Sequence, residues 1–290
     1  MRDLSLNTKR NLILMLGVFG GATSCLFSRW ADCPAVVLAF YRMLFSAALM
    51  IPYMLVRKRQ ELARVGRREL LLCLAAGVFL AIHFTSYFGA IRHTSIAAAQ
   101  TLTNLEVFFV ALLSFVLWRE RISPAGWLGI LVVFGGGLII ALADMGEGGN
   151  LSGDLMAIGA GLAMASYTLI GRRNRRHMST ACYTFVVYAA AAVTLTLLVP
   201  LCGHSYTGYG SLNWLCGLAM ALLCTFGGHT VFSWSLKHFT ASHVSTIKLL
   251  DPLFCTVLAL LFFRELPGLI TLLGCLVLIG GTVLYVRSGN

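Results

Sequence analysis

The chain has 290 residues, of which 58% are hydrophobic and only 11% charged, and its formal net charge is +11. A soluble domain carries about 25% charged residues, so a water-soluble globular fold is excluded and a polytopic membrane protein is expected. The basic excess could indicate nucleic acid, but its distribution along the chain argues against that partner.

A bilayer core requires about 20 apolar residues per helix, and ten such stretches occur. Strict alternation is absent, which excludes a membrane β-barrel. The first span, near residues 11–29, follows a basic start but has no small-residue cleavage site. It is predicted to be retained as a helix. The second, 34–56, carries Arg42 within AFYRMLFSAAL. The third, 69–91, places His83 and Tyr87 four apart on one helix face. The fourth, 95–118, holds Gln100, Thr103, Asn104 and Glu106 at one depth. The fifth, 124–143, contains Gly129, Gly135 and Gly136, small residues that let helices approach closely where lipid gives no hydrophobic drive.

The loop ADMGEGGNLSGD, residues 143–154, is the most Gly-rich and acidic in the chain. The sixth and seventh spans, 151–171 and 178–201, follow it. The eighth, 212–236, has a Thr225/His229/Ser233 stripe, with Phe232 and Trp234 as a candidate aromatic wall. The ninth, 241–263, contains STIKLLDPLF. Lys248 and Asp251 are three apart, Ser245 extends the same face, and Pro252 leaves the Lys248 carbonyl without its helical donor. The tenth, 267–287, repeats the glycine pattern at Gly274, Gly280 and Gly281.

With the N-terminus inside, seventeen Lys/Arg fall in segments on the cytoplasmic side and three on the opposite side. This positive-inside asymmetry predicts a multi-pass protein of the cell inner membrane with both termini cytoplasmic. It makes the charge a topology signal, with membrane lipids rather than nucleic acid as its partner.

Displacing the sequence by 145 residues lays one half on the other. TLTNLEVFF meets TIKLLDPLF, LWRERIS meets FFRELPG, and LGILVVFGG meets LGCLVLIGG. Near the half starts, GGATSCLFSR resembles AMASYTLIGR at an offset of 143. Five helices per half invert the second half. The fold class expected is therefore an all-α polytopic membrane protein, with ten transmembrane helices as two inverted five-helix repeats. The predicted division is residues 1–143, a joint at 144–150, and 151–290.

Ten spans, the inverted repeat, the ERIS-like and REL-P-G turns, LDPLF, SGDLMAIGAGLAMASYTLI and AFYRMLFSAAL resemble the EamA-type members of the drug/metabolite transporter superfamily. The resemblance covers nearly the whole chain. It implies a secondary transporter of small organic metabolites, with spans 1, 3, 4, 6, 8 and 9 lining the pathway. One departure is that the proline usual in span 4 of such proteins is Val107 here, so the kink expected in span 9 is not expected in span 4.

Charges at mid-bilayer are costly and mark function or buried pairs. Glu106, Lys248 and Asp251 are the leading substrate-binding candidates, followed by Gln100, Asn104, His83, Tyr87, His229, Ser245 and Trp234. Arg42 is expected to be a structural buried charge. The packing alternative to a cavity is two ion pairs, Arg42–Glu106 and Lys248–Asp251. The four charges sum to zero, which suits an amino acid or similar zwitterion, with Lys248 meeting a carboxylate. A self-neutralised Lys248–Asp251 pair would instead favour an organic cation or drug, with proton coupling at Glu106. A lipid flippase or scramblase is a further alternative. The protein is expected to act as a monomer or homodimer. Nothing resembles an enzyme motif, a nucleotide site or a metal cluster, and no cofactor is expected.

Overall fold

The computed structural model describes residues 6–119, 122–146, 150–174, 178–235, 238–239, 247–248 and 250–288. Among the described residues, eight helices are long and apolar enough to cross a membrane: Thr8–Trp30, Ala35–Arg57, Arg67–His93, Ile96–Leu117, Pro124–Ala143, Leu151–Asn174, Thr180–Leu201 and Ser211–Ser235. Two shorter apolar helices, Asp251–Phe263 and Leu269–Tyr285, complete spans 9 and 10. Large apolar side chains such as Leu16, Leu117, Leu131, Leu261 and Leu276 face outward, as lipid contact requires.

Local chemistry sets the helix ends. Ser95 Oγ accepts the Ala98 N–H at 3.2 Å to start span 4, and Ser179 Oγ accepts the Cys182 N–H at 3.3 Å to start span 7. Each hydroxyl satisfies a backbone donor that the first helical turn leaves open. At the repeat-equivalent C-caps of spans 4 and 9, Arg119 and Arg264 both turn left-handed, at φ 54°.

The packing obeys an inverted two-fold. Spans 5 and 10 pack on each other, as do spans 2 and 7, and each pair maps onto itself under the repeat. Span 3 packs on span 6 and span 1 on span 8, and these pairs exchange. Glycines make the close crossings possible. A Cβ at Gly129 would lie 2.7 Å from the Tyr285 backbone nitrogen, and one at Gly20 would lie 2.8 Å from the Leu223 carbonyl oxygen.

The two ends of the bundle carry different ties between the halves. At one end Arg29 Nη2 pairs with Glu265 Oε2 at 2.8 Å, while Glu265 Oε1 accepts the Ile96 N–H at 2.6 Å. Asn213 Oδ1 accepts the Asp32 and Cys33 N–H groups at the same end. The left-handed Arg264 carries Glu265 across to span 1. The matching Glu120 lies outside the described residues. At the opposite end Glu61 accepts from the Ser179 N–H at 2.8 Å and from Lys58 Nζ at 2.9 Å. Burial pushes the Glu61 carboxyl up, but these hydrogen bonds outweigh it and hold it below its ordinary value.

Span 4 corrects the expectation of a continuous helix. It breaks after Thr103 and resumes at Glu106, without a proline. Polar side chains and tight packing do the work. Thr103 Oγ1 donates back to the Ala99 carbonyl at 2.7 Å, a bond known to bend helices, and Gly161 of span 6 lets that helix approach the Thr103 carbonyl closely. Span 9 breaks at the matching depth, with a new helix starting at Asp251 and Pro252 in its first turn.

Candidate functional site

The broken spans 4 and 9 bring their polar residues to one central cavity of about 60 Å³. Its lining includes Arg42, His83, Tyr87, Gln100, Asn104, Glu106, His229, Lys248 and Asp251. At ~10–15 Å³ per water site this space holds a few waters.

The central contact is an ion pair between the halves. Lys248 Nζ donates to Glu106 Oε2 at 3.0 Å, and Thr168 Oγ1 donates to Glu106 Oε1 at 2.9 Å. Lys248 also lies 5.4 Å from the Phe232 ring centroid. This replaces both pairs of the packing alternative to a cavity. The Lys248–Asp251 pairing assumed an unbroken helix with three-residue spacing on one face. The helix instead restarts at Asp251, and Lys248 reaches across to span 4.

Asp251 is held differently. Its Oδ2 accepts from Gln100 Nε2 at 2.8 Å, and Gln100 Oε1 accepts from the Tyr87 hydroxyl. Spans 3, 4 and 9 are thereby joined in a neutral-to-charged chain of hydrogen bonds. His83 donates Nδ1–H to the Ala160 carbonyl at 2.9 Å. A carbonyl can only accept, so the neutral ring keeps Nε2 as an acceptor. The His83 and His229 rings lie 6.4 Å apart, and His229 packs edge-on to Phe84, its repeat equivalent, at 5.5 Å.

Span 8 reaches the cavity through an unusual winding. Met220–Thr230 is a π-helix, a wide form that recurs at functional sites. Thr230 Oγ1 donates to the Thr225 carbonyl five residues back at 3.1 Å. Gly228 lies against Gly21 of span 1, where a Cβ would come within 3.2 Å of the Gly21 backbone.

Arg42 is buried, with 2% exposure. Its Nε donates to Thr225 Oγ1 at 3.0 Å, and its guanidinium carbon sits 3.9 Å over the Phe84 ring centroid. It pairs with no carboxylate among the described residues, so the Arg42–Glu106 tie of the packing alternative is not formed.

The remaining sequence candidates divide. Asn104 lines the cavity, and its Nδ2 has no hydrogen-bond partner among the described residues. Trp234 does not line it. Its ring packs on His238 at 4.6 Å, pointing to the end of span 8, and Phe232 forms the aromatic wall. Ser245 lies outside the described residues. Sequence reasoning missed Thr168, which orients Glu106, and Gly21, Ser24 and Met164 in the lining. The repeat held a usable signal, because Gly21 and Met164 coincide at the offset of 143.

Comparisons with known proteins agree with this architecture. The EamA-like transporter family matches the chain twice, over residues 8–142 and 151–287. The pseudopaline exporter CntI of Pseudomonas aeruginosa is 26% identical over 260 residues, covering 89% of this chain and 88% of the relative. Human solute carrier family 35 member G1 is 23% identical over 265 residues, covering 87% of this chain and 71% of the relative. The uncharacterized transporter YxxF of Bacillus subtilis is 24% identical, covering 98% and 92%. A solved crystal structure superposes with a TM-score of 0.67 at 21% identity over 96% of both chains, which shows the shared fold.

Proposed function

Given that this chain belongs to the EamA-like transporter family, and is therefore a multi-pass membrane transporter of a small molecule rather than an enzyme, we propose that it is a secondary active exporter or exchanger. Its substrate is an amino acid or similar zwitterion, moved by alternating access. The observation that carries this reading is the intramembrane cavity with both signs of charge, closed by the Lys248–Glu106 pair between the two halves. A cavity volume of about 60 Å³ is well below the ~300–1,000 Å³ of a ligand-loaded pocket. Substrate entry must therefore separate the halves, and the inverted repeat supplies the two equivalent rearrangements that do so. Outward movement is the favoured direction, because a relative along most of the chain is an exporter. Insertion in the cytoplasmic membrane with both termini inside, and a division of the halves at 144–150, belong to the same reading.

Charge also separates this reading from the organic-cation alternative. An organic-cation carrier coupled through Glu106 would need that carboxylate to be available, and Lys248 and Thr168 already occupy it.

The test is exchange in liposomes. Purified protein in vesicles preloaded with unlabelled L-amino acids should accelerate uptake of at least one labelled amino acid. Translocation of a fluorescent phospholipid with no amino-acid exchange would replace this reading with the flippase.

A further inference from the structure

We propose that Arg42 is the anion anchor of the transport site. Its guanidinium receives the substrate's carboxylate, and Asp251, on the wall of the same cavity, receives the substrate's ammonium group. This inference rests on the transporter reading above and deepens it.

The charges around the cavity sort unequally. Lys248 and Glu106 neutralise each other at 3.0 Å, and Thr168 takes the second Glu106 oxygen. Lys248, the first candidate for a substrate carboxylate from sequence, is thus engaged. Arg42 and Asp251 are the two cavity charges that form no direct ion pair among the described residues, one of each sign.

The surroundings of Arg42 present it as a receptor. A guanidinium has five N–H donors and no acceptor. The Nε–H goes to Thr225 Oγ1 at 3.0 Å. The terminal N–H groups have no acceptor among the described residues, although the side chain is almost wholly buried and lines the cavity. The guanidinium carbon lies 3.9 Å from the Phe84 ring centroid and 5.9 Å from that of Phe88. A fork held by these cation–ring contacts and by one hydrogen bond keeps its terminal N–H groups for a bidentate carboxylate. A cation kept this deep without a counter-ion is costly. The second half does not repeat it, since the matching stretch Phe185–Val187 is apolar. A charge that served only to pack span 2 against span 7 would have no need of a single-sided placement.

Asp251 complements it. Gln100 takes Oδ2 at 2.8 Å, while Oδ1 accepts only a long hydrogen bond from the Cys255 thiol at 4.0 Å, a weak donor that an ammonium group can displace.

The experiment uses the full-length purified protein and a panel of L-amino acids, each beside its decarboxylated amine and its N-acetyl derivative. Binding is measured by titration calorimetry and exchange in liposomes. The parent should prefer an intact amino acid over both derivatives. Arg42→Gln should weaken that amino acid by about thirtyfold or more and erase its preference over the amine. Asp251→Asn should erase the preference over the N-acetyl compound. A folded Arg42→Gln protein that keeps the parent's preference overturns the proposal, as does a parent that binds the amine as well as the amino acid, or a parent that binds nothing in the panel. Where Arg42→Gln gives no folded protein, Arg42→Lys carries the test, and undiminished binding by that variant overturns the guanidinium fork. Exchange that is indifferent to Arg42 sinks the anchor alone. Absent exchange of every panel compound sinks the amino-acid transporter reading with it.

Discussion

Removing the carboxylate of span 4 strands a lysine at mid-membrane, and the consequence can be sized. Lys248 Nζ and Glu106 Oε2 are 3.0 Å apart, with side-chain exposures of 23% and 11%. Two unit charges at that distance attract by about 5–6 kcal/mol at an effective dielectric of 20. Desolvation cancels part of this, and breaking a buried pair from one side costs roughly 3–5 kcal/mol. Because Lys248 keeps some access to the cavity, the lower figure applies to Glu106→Gln, about 3 kcal/mol. At roughly 2–4 °C per kcal/mol, its melting temperature in detergent should fall by about 6–12 °C. Replacing both charges, Glu106→Gln with Lys248→Met, should recover most of the loss, a coupling of about 2 kcal/mol. Exchange in liposomes should stay lost in both, because the pair between the halves is gone. The assay is thermal unfolding followed by fluorescence, run beside flux. If the double variant melts no higher than the worse single variant, the pair does not couple the halves and this reasoning fails.

Three further outcomes are expected. Gly129→Ala should cost about 1–3 kcal/mol, because the new Cβ meets backbone of span 10 that cannot rotate away. Gly135→Ala, with nothing within 4 Å of the added atom, should melt like the parent; equal melting of the two variants would refute the close crossing of spans 5 and 10. Val107→Pro should be tolerated, since residue 107 sits in the first turn of the restarted helix as Pro252 does and gives up only a 3.2 Å bond to the Asn104 carbonyl. Leu112→Pro, inside that helix, should cost about 3 kcal/mol or more, and a comparison of folded yield and melting checks the pair. Glu61 is held below its ordinary value, so its contribution is present at neutral pH and lost as pH falls through the acid range. The melting difference between the parent and Glu61→Gln should therefore shrink on acidification from pH 7 to pH 4; a constant difference would show that the Glu61 charge adds nothing.

Sequence alone determined the membrane class, the span count, the inverted repeat and most of the cavity lining. These follow from signals carried locally or by simple registration. Apolar runs of about 20 residues have few other uses, a repeat aligns with itself, and a charge or histidine inside such a run must find polar company. Glu106, Asp251, Gln100, Asn104, His83, Tyr87 and His229 were legible on that ground. The partners were not. Which cation meets which carboxylate depends on where a helix breaks and in which direction the chain restarts, and three-residue spacing misled at Lys248 and Asp251 because the helix between them is interrupted. The break in span 4 left no proline to read, as it comes from Thr103 and from the close approach of Gly161 on another span. Arg42 illustrates the limit best. Its burial was expected from its place in span 2, but its lack of a counter-ion among the described residues is a property of everything packed around it, and only the assembled helices could decide that.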